Sequence, residues 1–355
     1  MKGFKTNIYS IVGAAFSAAS MMMLSSACGI INEDLDPCPD AAVNLRFVYE
    51  YNMEFANAFH NQVDCLSLYI YDEEGNFVTK QTELTRENLA DENFRISLKL
   101  PEGNYRAIAY GGMECRDASF IHPTAFSNTN ELADLTVALH PDCLSDDNLR
   151  KLHNHFYGSA RFSVSQNTTT EARVEMMRNT NTVQVALQHV SGSPISHEDF
   201  NFSITDDNTL FDSDNNLLPN GEVTYLPFLS ETRYAGTQPG EESSRADDDA
   251  DNANDVSVAM AHFTTSRIVR NKPVRTTLTV TRKSDNSEVL RIPLVNYMLL
   301  FKSDSGLVEP MADQEYLDRE NSWRFVFFLD DRNDTWLTTR IVINDWEVRI
   351  NDTEF

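Results

Sequence analysis

The chain has 355 residues, with 29 Lys and Arg against 54 Asp and Glu and a formal net charge of −25. That balance excludes nucleic acid as a default partner, because binding a phosphate backbone needs basic patches that this composition does not supply. Hydrophobic residues at 41% and charged residues at 23% match globular usage, the length suggests two domains, and the single long apolar run, at the N-terminus, excludes a polytopic membrane protein.

That run reads as an export signal. Lys2 and Lys5 give a positive start, Ile8 to Leu24 an apolar stretch broken by Ser10, Ser17 and Ser20, and Leu24-Ser25-Ser26-Ala27-Cys28 a small-residue cleavage site. It is shorter and more polar than the roughly 20 apolar residues of a spanning helix. Residues 1–27 are therefore expected to be a lipoprotein signal peptide and Cys28 the lipidated first residue of the mature chain, although Ser25 stands where a bacterial lipobox usually has Leu. Residues 1–27 hold two Lys and no acid, so a chain starting at Cys28 carries −27. Such a charge is repelled by anionic lipid, and membrane attachment must come from acyl chains, at roughly 0.8 kcal/mol per buried methylene.

From residue 43 onward, period-two alternation dominates. Val43, Leu45, Phe47, Tyr49 and Tyr51 alternate with polar neighbours, as do Leu66, Leu68 and Ile70, then Ile96, Leu98 and Leu100, which predicts half-buried strands. Turn residues separate them: Asp72-Glu73-Glu74-Gly75-Asn76, and Pro101-Glu102-Gly103-Asn104 ahead of a strand from Tyr105 to Tyr110. Met53 to Gln62 and Asp146 to Phe156 show weak helical spacing. Cys38, Cys65, Cys115 and Cys143 are candidates for disulfides in an export compartment; three pairings are open, and any bridge belongs to the first half of the chain. No C-x2-C or neighbouring His pair gives them zinc spacing.

After Tyr157-Gly158 the alternation restarts with Phe162 and Val164, Val183 to Leu187, Phe200 to Ile204, Val256, Val258 and Met260, and Leu278 with Val280. The expectation is an N-terminal β domain over residues 28–158 and a C-terminal β domain over residues 159–355. Gly240 to Asp255 interrupts the second with seven acids, one Arg, no aromatic and no β-branched residue, and reads as a solvated acidic loop. The spaced D-x-D-x-D-G calcium pattern is absent from it. Asp212-Ser213-Asp214-Asn215-Asn216 comes closer to an EF-hand loop, yet Leu217 replaces the turn Gly and Val223 the bidentate Glu, so turn residues account for it better.

Catalytic signatures are lacking. Neither Tyr157-Gly158-Ser159-Ala160-Arg161 nor Val190-Ser191-Gly192-Ser193-Pro194 fits a nucleophile elbow, and no P-loop or dinucleotide fingerprint occurs. His153 and His155 could share a metal on one strand face, but no third ligand accompanies them. Trp323, Trp336 and Trp346 sit in terminal strand patterns: Trp323, Phe325, Phe327 and Leu329 alternate, and one last strand runs from Ile341 to Ile350. A closing aromatic core is favoured over a sugar-binding platform.

The stretches CGIINEDLDPCP, VNLRFVYEYNMEFANAF, VDCLSLYIYDEEGNFV, LPEGNYRAIAYGG and DQEYLDRENSWRFVFFLDDRNDTWLTTRIVINDW, with Ile204 to Asn208 and Thr224 to Pro227 between them, resemble the FimB-type fimbrial anchor lipoprotein family of type V pili. The resemblance implies an all-β fold of two tandem transthyretin-like β-sandwich domains, lipid attachment to the outer membrane, and a place at the base of a fimbrium, holding a shaft of fimbrillin subunits and limiting its length. Related fimbrillins polymerise by donor-strand exchange. No catalytic residue or cofactor carries over. With only five residues after Ile350, the chain is expected to offer a sheet edge or groove to the shaft rather than a C-terminal strand. The alternative reading is a surface lipoprotein that binds glycan or another ligand.

Overall fold

Alternating apolar residues build an all-β sandwich in the computed structural model, which describes residues 42–127, 131–234, 256–304, 311–343 and 346–349. The first half supplies β1 (Ala42–Val48), β2 (Leu66–Asp72), β3 (Phe77–Glu83), β4 (Arg95–Lys99), β5 (Gly103–Gly111), the short β6 (Phe120–Ile121) and β7 (Val137–Leu139), and the long β8 (Phe156–Val164) and β9 (Thr169–Arg178). Seven of them form one sheet in the order β3-β2-β5-β8-β9-β1-β4. Its pairs are antiparallel except β1 with β9, the first and last strands, which run parallel.

The second half repeats that closure. It contains β10 (Thr180–His189), β11 (Phe200–Asp206), β12 (Leu210–Phe211), β13 (Leu217–Leu218), β14 (Val223–Tyr225), β15 (Leu229–Tyr234) and β16 (Ser257–Ser266), then β17 (Thr277–Arg282), β18 (Glu288–Pro293), β19 (Ser322–Leu329), β20 (Trp336–Ile343) and β21 (Trp346–Arg349). In the sheet β15-β16-β10-β19-β20-β21, β10 lies parallel to β19; β14-β11-β17-β18 form a separate sheet. A small sheet, β13-β12-β7-β6, takes strands from both halves, with Val137 opposite Phe211 and Ala138 opposite Leu210.

Burial departs from the half-buried expectation where both faces of a strand are covered. In β2 every residue but Asp72 is buried. Leu66, Leu68 and Ile70 face a core enclosed by the first sheet, whereas Tyr69 and Tyr71 face a second core that runs on into the C-terminal half through Val183, Val185, Phe263 and Phe325. In β16 the expected apolar set is on the wrong face: Val258 and Met260 are half-buried, while Ala259, Ala261 and Phe263 are fully buried opposite Leu187, Val185 and Val183. Small alanines fit against bulky partners there, and close packing outweighs raw hydrophobicity.

The domain break expected after residue 158 falls inside β8. A Cβ at Gly158 would lie 2.8 Å from the Glu175 carbonyl oxygen on β9, so the glycine permits close strand approach. The first sheet extends to Arg178, and the halves meet at Asn179, the single residue between β9 and β10. Asn179 is buried. It exchanges two side-chain amide hydrogen bonds with buried Asn215, at 2.7 and 3.0 Å, and its N–H donates to the His155 carbonyl at 2.7 Å. Arg178 beside it donates to Asn154, Thr180 and Asn321.

The remaining elements correct three smaller expectations. The final strand is a hairpin, in which Ile343 pairs with Trp346 and Ile341 with Val348. The weak helical spacings give only one turn at Phe59–Gln62 and a 3-10 turn at Asp146–Asn148. Helices α1 (Leu294–Asp304) and α2 (Asp313–Arg319) form instead. The run Leu294 to Phe301 is apolar on most sides and so shows no amphipathic period.

Cys65, just before β2, and Cys115, past the end of β5, form a disulfide across paired strands, with Cα atoms 5.6 Å apart and a sequence separation of 50. Closing a loop of that length removes unfolded-state freedom. Replacing both cysteines by Ala is expected to lower unfolding free energy by roughly 2–4 kcal/mol in urea titration; an unchanged midpoint would show that the bridge contributes nothing.

His155 lies fully buried between Phe120 and Tyr110, with ring centroids 4.3 and 5.8 Å away. Burial, with smaller contributions from His122 and His153, pushes its pKa down from 6.5 to about 3. The unfolded chain takes up this proton below pH 6.5 and the folded chain only near pH 3, so stability is complete above 6.5 and falls between the two by about 1.4 kcal/mol per pH unit. Between pH 7 and pH 5, His155→Phe should therefore lose about 2 kcal/mol less stability than the wild type; equal losses would contradict a buried neutral ring.

Candidate interaction surfaces

Among the described residues, the two larger sheets end in edge strands β3 and β4 in the first half and β15 and β21 in the second. An edge strand leaves one row of backbone N–H and C=O groups unpaired, which is the template for strand addition. Along β15, Leu229 and Tyr234 are exposed at either end, while Glu231 between them accepts from Arg233 and from the His262 ring at 2.8 and 2.9 Å. This strand leads into residues 235–255, which include the acidic stretch Gly240 to Asp255 and lie outside the described residues.

Other residues singled out in the sequence are scattered. Cys28 and Cys38 lie outside the described residues. Cys143 is a buried free thiol that accepts from Arg150 Nη2 at 3.4 Å and faces the Ser119 carbonyl. Trp323 is buried with its ring edge against Tyr316. Trp336 is half-buried against Phe327 and Tyr297, and of Trp346 only the backbone is described. Neither described ring forms an open platform. His153 stands 3.8 Å from Asp64 while His155 is enclosed by aromatics, so the two do not converge on a metal. Among the described residues no group of three metal-ligating side chains occurs.

Two turns share one chemistry. Asp72 accepts from the backbone and side chain of Asn76 at 2.8 and 2.9 Å, and Asp212 does the same for Asn216 at 2.8 and 3.0 Å; Gly75 and Asn215 occupy the matching left-handed positions. The Asp212 carboxylate is thus committed to its turn, not to a cation. Arg106, from β5, donates to the Ser213 carbonyl and pairs with Asp214 in that turn.

A cleft of about 550 Å³ opens between the first of these turns and the β5–β8 ladder. Its lining includes Asp72, Glu73, Asn104, Arg106, Arg161 and Ser163. Ser163 donates to Asn104 at 2.6 Å and Asn104 to Glu73 at 2.9 Å. This group leaves no linear motif in the sequence, because it is assembled by strand register.

The whole described fold has solved counterparts. A candidate adhesin from Bacteroides thetaiotaomicron is 42% identical with a TM-score of 0.79, covering 89% of this chain and 100% of its own. A candidate polysaccharide-binding protein from the same organism is 26% identical with a TM-score of 0.71, covering 88% and 99%. The fimbrial anchor protein Mfa2 from Porphyromonas gingivalis shares the fold at 17% identity and a TM-score of 0.62, covering 87% and 99%. No curated protein matches the chain. The family model for fimbrillin-A associated anchor proteins Mfa1 and Mfa2 matches residues 35–352, and on that near-complete match the chain belongs to this anchor protein family.

Proposed function

We propose that this protein is a lipid-anchored base subunit that fixes a fimbrium to the outer membrane of the cell, nucleates its shaft and limits its length. The observation that carries this reading is the family match across residues 35–352. Three features support it. The N-terminal segment ends in Leu24-Ser25-Ser26-Ala27-Cys28, which supplies a thiol for acylation. Among the described residues, the larger sheets end in edge strands on which a shaft subunit could add a strand. The net charge of −25 leaves acyl chains as the means of holding the protein to an anionic surface. The last described strand, β21, is already paired with β20, so this account has the protein receive a strand from the shaft at a sheet edge. Nothing in the reading calls for catalysis.

The experiment is replacement of Cys28 in the bacterium that encodes the chain. With Cys28→Ala, the protein and assembled fimbriae should move from the membrane fraction to the medium, and the shed shafts should retain this subunit at one end. Full retention of both at the membrane, or an unmodified Cys28 in the mature wild-type protein by mass spectrometry, contradicts lipid anchoring. Deleting the whole gene should give longer, detached shafts; shafts of normal length that stay attached would overturn the anchor role itself.

A further inference from the structure

The cleft beside the β2–β3 turn carries chemistry that anchoring does not use. Arg106 on β5 stands directly opposite Arg161 on β8. Like charges placed opposite each other destabilise a strand pair unless a counter-charge answers them. Asp214 answers Arg106. The Arg161 side chain is exposed and, among the described residues, has no hydrogen-bond or ion-pair partner. The two carboxylates nearby are otherwise engaged, Asp72 by Asn76 and Glu73 by Asn104.

The geometry points to a binding site for a saccharide that bears a single carboxylate, a sialic- or uronic-acid type of sugar. A guanidinium fork pairs with a carboxylate through two parallel hydrogen bonds, which makes Arg161 the group for the acid. Two residues along the same strands lie Ser163 and Asn104, which with Glu73 of the β2–β3 turn form a hydrogen-bonded line of hydroxyl, amide and carboxylate, the mixture of donors and acceptors that sugar hydroxyls require. The volume of about 550 Å³ lies within the range of small-ligand sites and leaves room for a di- or trisaccharide. A polyanion, such as an acidic peptide, is disfavoured because the net charge of −25 repels it, whereas one carboxylate among neutral hydroxyls is not penalised to the same degree.

The test is calorimetric titration of the purified full-length protein with 3′-sialyllactose, lactose and triglutamate. Two variants accompany the wild type: Arg161→Gln, at an exposed position where the melting temperature should not move, and Asn104→Ala. 3′-Sialyllactose should bind saturably, more tightly at low salt. Arg161→Gln and removal of the acid (lactose) should each weaken binding about tenfold or more, as loss of a charged hydrogen-bonded pair does. Asn104→Ala should weaken both sugars. Absence of saturable binding, equal affinity in folded Arg161→Gln, or triglutamate binding more tightly than the sugar overturns the assignment, the last in favour of an acidic protein segment.

Discussion

The structure depends on the reciprocal amide pair between Asn179 and Asn215. Asn179 is the only residue separating β9 from β10, so the chain passes from one sheet to the other without a linker. Both side chains are buried. In a low-dielectric site, a fully satisfied pair is strong, and removing one partner leaves the other's donors and acceptor uncompensated. Asn215 reaches this position because the Asp212 turn holds it in the left-handed conformation, a φ of 60° that Asn tolerates better than most residues. Its carbonyl accepts from Arg267 at 2.8 Å, and Arg267 in turn makes a two-pronged ion pair with Asp318 on α2 at 2.7 Å for each bond. Arg178 and Asn321 extend the network to Tyr49 at the end of β1. One polar knot thus joins the first sheet, the second sheet and the C-terminal helix.

Mechanically, that knot makes the tandem sandwiches one body. The core shared by Tyr69, Tyr110 and Phe120 on one side and Val185, Phe263 and Phe325 on the other spans the same boundary, as does the small β6-β7-β12-β13 sheet. A continuous core resists separation of the two halves better than two domains on a flexible tether would.

The strands were legible in the sequence because period-two alternation reports directly on a pleated surface, and the turns because Asp, Gly and Asn carry their own local hydrogen bonding. The resemblance to anchor proteins was legible for the same reason: it resides in the order of such strands and turns. What escaped were consequences of long-range pairing. The restart of alternation after Tyr157-Gly158 does not mark a domain break, because Gly158 lies inside β8, where it admits the neighbouring β9. The buried face of β16 does not show in the alternation, because Ala259 and Ala261 matter only against Leu187 and Val185. Helix α1 was hidden by having apolar residues on most sides. Asn179 and Asn215 stand 36 residues apart, and Arg106 and Arg161 meet only through the β5–β8 register, so neither pair leaves a linear trace.

Differential scanning calorimetry of the lipid-free protein tests most directly whether the two sandwiches form a single unit. A single transition whose calorimetric and van't Hoff enthalpies agree is the result predicted for a core and polar knot shared across Asn179. Two resolved transitions, with the lower one unaffected by Asn215→Ala, would contradict it.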